Sequence, residues 1–147
     1  AAIGAGMTAY CALQPLAETD HAAVKKFLGA FGQYQELEEK HLDAVTALGG
    51  SGPAFLFEYV AGMREAGIAA GLPAEIAARI ALETTLGAAR LLARSTQSPE
   101  ELRDKVTSPN GTTYAALQIF KQREFRALID EAVAAAARRS KELSADA

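Results

Sequence analysis

Three glycines and a proline fall within five residues at Gly49–Gly50–Ser51–Gly52–Pro53. Each glycine in a helix interior costs about 1 kcal/mol relative to alanine. A helix-forming run is therefore expected to stop there. Proline suits the first turn of a helix, where its missing N–H has no partner to lose. The stretch Ala44–Ala54 thus predicts a helix end, a tight turn and a new long helix. It divides a mixed N-terminal region from a helical remainder.

Residues Ala1–Ala12 are small, apolar and punctuated by Gly4 and Gly6, which reads as a buried strand. Thr19–Asp20 offers an N-cap. Ala23, Val24, Phe27, Leu28 and Phe31 follow at helical spacing, and Gly32 is placed to stop the helix. Gln33–Glu38 alternates polar and apolar side chains, as a short edge strand does. Strand, helix and strand make a βαβ-type piece too small to bury both faces of its sheet alone. The chain starts in an apolar run without Met, so it is expected to be a fragment of something larger.

From Glu39 onward the pattern is helical. Expected helices are Glu39–Leu48, Pro53–Ala70, Ala74–Ser95, Pro99–Val106, Tyr114–Arg123 and Phe125–Leu143, with a frayed tail at Ser144–Ala147. Gly71 ends one and Pro73 opens the next. Ser98–Pro99–Glu100–Glu101 has the form of a capping box. Apolar residues occupy more than one face of 74–95, so that helix is expected to be buried on several sides. Leu128, Ile129 and Val133 are expected to face inward. The fold class is mainly α: residues 1–39 form a strand–helix–strand remnant, and residues 40–147 form an all-helical domain.

Half of the residues are hydrophobic and many are alanine, which favours close helix–helix approach. The net charge of -3 comes with no basic stripe, so nucleic acid is excluded as a partner. A single cysteine, Cys11, rules out an intrachain disulfide framework and a multi-cysteine metal site. It reads as a small buried hydrophobe in a reducing, cytoplasmic setting. No apolar run reaches the roughly 18 to 20 residues of a membrane span. His21 and His41 have no partners at metal-ligand spacing and read as solvated. Glu36, Glu38 and Glu39 read as a solvated connector. Phe55, Phe57, Phe120 and Phe125 read as core or subunit interface.

The strongest candidate site is Thr107–Ser108–Pro109–Asn110–Gly111–Thr112–Thr113, a hydroxyl-rich loop that runs into a helix N-terminus. Free N–H groups there form an anion site suited to carboxylate or phosphate. From spacing alone an ordinary cap, with Thr112 or Thr113 bonding its own helix, is the better reading. The Gly49–Gly52 run lacks the Lys-Ser/Thr ending of a phosphate loop and reads as a helix–helix turn.

Several ordered blocks resemble pyrroline-5-carboxylate reductases. They are Asp43–Leu48 with Gly50–Ala54, Gly71–Pro73, Leu86–Ala89, and Leu102–Val106 with Thr107–Thr113. Asn110 stands where that family usually has glycine, and Asn also tolerates the left-handed conformation. Gly49 stands where serine is frequent. The resemblance spans essentially the whole chain.

The resemblance implies an enzyme of proline biosynthesis. It transfers a hydride from NADPH or NADH to the C=N bond of 1-pyrroline-5-carboxylate, giving L-proline. It implies a nucleotide-binding Rossmann domain of which residues 1–39 are the end, and a helical domain that forms a homodimer and larger rings. Ser108, Gly111, Thr112 and Thr113 match the loop that receives the substrate carboxylate. Thr113 matches the threonine placed for proton delivery or positioning at the ring nitrogen. No GxGxxG motif occurs, so no cofactor-binding residue is assigned and the chain alone is expected to be inactive. The other readings are a non-catalytic helical interaction module, and the helical domain of a related imine or β-hydroxyacid reductase.

Overall fold

A computed structural model describes residues 3–145. Two strands open the chain, β1 (Gly6–Tyr10) and β2 (Gly32–Glu36), joined by helix α1 (Glu18–Gly29). The strands pair in parallel with Gly6 opposite Gly32 and Tyr10 opposite Glu36. This is the expected βαβ piece, with β2 two residues shorter at its C-terminal end than the sequence suggested. The expected start of the first strand, Ala1–Ala2, lies outside the described residues.

Two glycine positions differ from expectation here. Helix α1 ends at Gly29, before Gly32. Gly32 instead opens β2 with φ +139, and a Cβ there would lie 2.1 Å from the Gly6 carbonyl oxygen. Close strand approach, not helix termination, requires this glycine. The α1 cap also differs. Extended Ala17 takes the cap position, and its carbonyl accepts from Asp20 and His21 at 3.0 Å each, which leaves Thr19 inside the helix. Val24 and Leu28 are half-buried, while Phe27 and Phe31 remain exposed as an edge-to-face pair.

The next segment corrects the expected glycine turn. Glu39–His41 is a 3₁₀ turn, Leu42–Val45 is a short α-helix (α2), and Thr46–Gly50 is a π turn. The helical path widens at the glycines instead of breaking, and α3 (Gly52–Ala69) follows directly after Ser51. Neither Gly49 nor Gly50 has positive φ. The expected reversal is thus replaced by a π turn, a single wide turn inside an otherwise helical path.

Helix α3 ends as the sequence implies. Gly71 adopts φ +100, its N–H bonds the Ile68 carbonyl, and the Leu72 N–H reaches the Gly67 carbonyl. Pro73 caps α4 (Ala74–Arg94). A Cβ on Gly67 would sit 3.1 Å from the Ala77 Cβ, so these helices approach as closely as small side chains permit. Helix α5 (Pro99–Lys105) starts from the expected capping box: Glu101 N–H donates to Ser98 Oγ, and Ser98 N–H donates to the Glu101 carboxylate. Helices α6 (Thr112–Gln122) and α7 (Phe125–Ala145) complete the chain. Helix α7 runs through Ser144 to Ala145, so the expected fraying at Ser144 is corrected. Residues 146–147 lie outside the described part.

The chain divides into two compact units, one of residues up to Pro53 together with those from Asp130 on, the other Ala54–Ile129. Burial contradicts the inward placement expected for the large apolar residues. Among the described residues only Ala47, Ala77 and Ala81 are buried. On α4 the small residues turn inward and Ile76, Ile80, Leu82 and Leu91 stay exposed. On α7 Leu128 and Ile129 are exposed as well, and only Val133 of the expected trio is half-buried.

Candidate functional site

The loop after α5 is shaped by its own backbone. Thr107 closes the helix end, with its N–H on the Asp104 carbonyl at 3.1 Å and its hydroxyl on the Arg103 carbonyl at 2.7 Å. The chain then turns through Ser108–Gly111, with Gly111 N–H donating to the Ser108 carbonyl at 3.1 Å. Asn110 takes φ 57 inside that turn, the left-handed conformation expected of it. Gly111 is extended, with φ -77 and ψ 176, and serves as the α6 cap position. A Cβ on Gly111 would meet Ser108 Oγ at 2.4 Å and the Ser108 carbonyl oxygen at 3.2 Å. Crowding against Ser108 therefore dictates glycine here.

Gly111 has no side chain with which to cap α6, and no side-chain hydrogen bond closes its start. The ordinary-cap arrangement, with a threonine hydroxyl bonded to its own helix, is not what forms. The first amide returned to the backbone is that of Ala115, on the Gly111 carbonyl at 3.0 Å. The N–H groups of Thr112, Thr113 and Tyr114 are the orphan donors of the helix start. Ser108 and Thr112 are exposed, and Gly111 and Thr113 are half-buried. The four sequence-predicted residues thus lie together on one six-residue stretch, presenting hydroxyls and free amides where the helix dipole favours negative charge.

Behind this loop, within the same unit, lies a groove of about 810 Å³ that begins at Thr107 and Tyr114 and continues along Leu117, Phe120 and Phe125. Phe120 and Phe125 stack with centroids 4.8 Å apart. Glu100 and Arg126 bridge α5 and α7 at 2.6 Å. The backbone N–H beside it, then Arg126, hold the Glu100 carboxyl below its ordinary value.

A second polar cluster was missed by sequence reasoning. Tyr10 donates to Glu36 Oε2 at 3.2 Å, and His21 Nδ1 lies 3.6 Å from the same oxygen. The His21 Nδ1 atom is buried and has no hydrogen-bond partner, while 31% of the side chain stays exposed, so the expected solvated histidine is corrected at that atom alone. Desolvation, then the Glu36 carboxylate, raises the Tyr10 hydroxyl above its ordinary value. The signal that could have found the cluster is the strand register, since Tyr10 and Glu36 are paired positions. Cys11, expected to be buried, is half-exposed beside this cluster. Among the described residues no three His, Cys, Asp or Glu side chains gather as a metal site, and no helix is long and apolar enough to cross a membrane.

A family model for pyrroline-5-carboxylate reductase dimerisation matches residues 39–143. The chain belongs to the pyrroline-5-carboxylate reductase family. A curated relative of that name from Synechocystis is 43% identical over 143 residues, covering 97% of this chain and 54% of the relative. One from Arabidopsis thaliana is 46% identical over 127 residues, covering 86% of this chain and 46% of the relative. Among solved structures, a pyrroline-5-carboxylate reductase from Coxiella burnetii superposes with a TM-score of 0.91 at 34% identity, covering 96% of this chain and 53% of that one. A pyrroline carboxylate reductase from Plasmodium falciparum, with NADP bound, superposes with a TM-score of 0.87 at 30% identity, covering 95% and 56%. The chain therefore spans about half the length of the relatives it matches.

The β1–α1 connection does not fit the pyrophosphate of a dinucleotide. A pyrophosphate cradle needs glycines between strand and helix and a helix start free of negative charge. The β1–α1 connection, Cys11–Ala17, contains no glycine. Helix α1 opens with Glu18 and Asp20, which repel phosphate.

Proposed function

We propose that this chain is the helical half of a reductase that converts 1-pyrroline-5-carboxylate to L-proline with NADPH or NADH, and that Thr107–Thr113 receives the substrate carboxylate. The observation that carries the reading is the uncapped start of α6 behind a turn fixed by Asn110 and Gly111. In this reading the Thr112 and Thr113 amides hold the carboxylate and the Ser108 hydroxyl adds a donor. The Thr113 hydroxyl holds or supplies the proton at the ring nitrogen. Fixing the imine in one orientation is the part of hydride transfer that such a loop performs. A reduced nicotinamide nucleotide, held by residues other than those of this chain, would supply the hydride. Self-association as a homodimer, and larger rings built from it, fit the dimerisation match. The single cysteine suits a cytoplasmic setting.

The test is a fusion of this chain behind the N-terminal half of the Synechocystis relative, assayed for NADPH oxidation with 1-pyrroline-5-carboxylate. The chain alone is expected to show no turnover and the fusion to be active. Thr113→Val is expected to lower kcat of the fusion about a hundredfold, the low end of proton-transfer contributions, while Thr113→Ser retains most of it. Turnover by the chain alone, or a folded fusion indifferent to Thr113→Val, would overturn the reading.

A further inference from the structure

The segment Leu48–Gly52 follows tied residues and is itself rich in glycine. Upstream, Ala47 has no exposed surface, and Asp43 accepts a hydrogen bond from Ser140 at 2.6 Å. Downstream, Gly49, Gly50 and Gly52 leave the helical path almost bare. None of the three has positive φ, so the backbone conformation does not require glycine. Packing within the single chain does not require it either. A Cβ on Gly49 or Gly50 would meet only the Val45 and Thr46 methyls, at 4.0 and 3.8 Å, and one on Gly52 would meet nothing within 4 Å. Alanine fits all three positions and favours helix more strongly. What the glycines add is freedom, and they add it at a π turn.

In that turn Ser51 N–H bonds the Thr46 carbonyl at 3.0 Å, five residues back. A π turn accommodates one residue more than an α turn with the same ends, and expelling that residue restores α geometry. The bend at Ser51 is the place to receive it. The boundary between the two compact units falls immediately after, between Pro53 and Ala54.

We propose that Leu48–Gly52 is a conformational joint in which π and α turns interconvert, so that the head of α3 shifts its winding while the chain before it stays pinned through Asp43 in α2 and the buried Ala47 at the start of the π turn. Amide hydrogen exchange on the assembled wild-type chain tests this, because local opening is read residue by residue. The amides of Gly49, Gly50 and Ser51 are all within the helical path. Their protection factors are expected to lie at least about tenfold below those of Thr46 and Ala47. In the Gly49→Ala/Gly50→Ala variant that gap is expected to close, with the middle of α3 unchanged. Equal protection in the wild type would overturn the proposal. So would a variant whose exchange does not move, including one that instead loses self-association, since the glycines would then be making room for a second copy.

Discussion

Ser140 donates its hydroxyl proton to Asp43 at 2.6 Å, across 97 residues of sequence. Both are half-buried, one in α7 and the other in α2. The bond ties the last helix to the segment that precedes the glycines. A hydrogen bond to a charged acceptor contributes about 1.5 to 3 kcal/mol, and an acceptor left without its donor keeps its desolvation cost. Ser140→Ala is expected to destabilise the chain by about 1 to 2 kcal/mol in urea unfolding at fixed protein concentration. Asp43→Asn keeps an acceptor there and is expected to cost less.

Gly111→Ala forces its new methyl against Ser108 Oγ. The hydroxyl can rotate away, but the Ser108 carbonyl oxygen at 3.2 Å cannot do so cheaply. The expected outcome is a loop that shifts by a few tenths of an ångström and raises substrate KM at least about tenfold, with global stability changed by less than about 1 kcal/mol. Adding Ser108→Ala removes the nearer clash and is expected to recover stability without recovering binding. A Gly111→Ala fusion with unchanged KM would contradict the proposed role of the loop.

The box at the start of α5 joins Ser98 and Glu101 by three hydrogen bonds. Ser98→Ala is expected to cost about 1 kcal/mol, a common value for a lost N-cap. Glu101→Ala added to it is expected to cost little more, since the two residues act as one unit. A double-mutant cycle in thermal or urea unfolding reads the coupling.

Glu100 and Arg126 predict a pH effect of fixed sign. The folded-state pKa of Glu100 is lowered from its ordinary 4.5, first by its backbone N–H and then by Arg126. A carboxyl of lowered pKa contributes stability above its unfolded value and loses it as pH falls through the folded value. The Tm of the wild type is therefore expected to drop more steeply below about pH 4.5 than that of Arg126→Met, and the two curves are expected to run parallel near neutrality. The pair is solvent-exposed, so the difference is small and screened by salt.

Local rules carried most of the legible structure. Ser98–Glu101, Gly71 and Pro73 act through their own backbone or nearest neighbours, and each stands where its chemistry demands. The loop Thr107–Thr113 was visible as a site candidate for the same reason, including the left-handed Asn110. What stayed hidden depends on contacts remote in sequence. Gly32 is required by Gly6 across the sheet, and the Nδ1 atom of His21 is covered by a fold that brings Glu36 to it. The π turn was misread because glycine content reports freedom without saying whether the chain uses it to reverse or to widen. The inward placement of Leu128 and Ile129 failed because helical periodicity marks an apolar face without naming the surface that covers it.

Ala47, Ala77 and Ala81 are the buried apolar residues among those described, and alanine withdraws very little surface from water. The larger side chains that could drive folding, such as Phe57 and Leu82, are left facing outward. In the homodimer proposed above, folding and association are one equilibrium, second order in protein. The midpoint of thermal unfolding becomes a function of concentration, and dilution acts on this chain as a denaturant does.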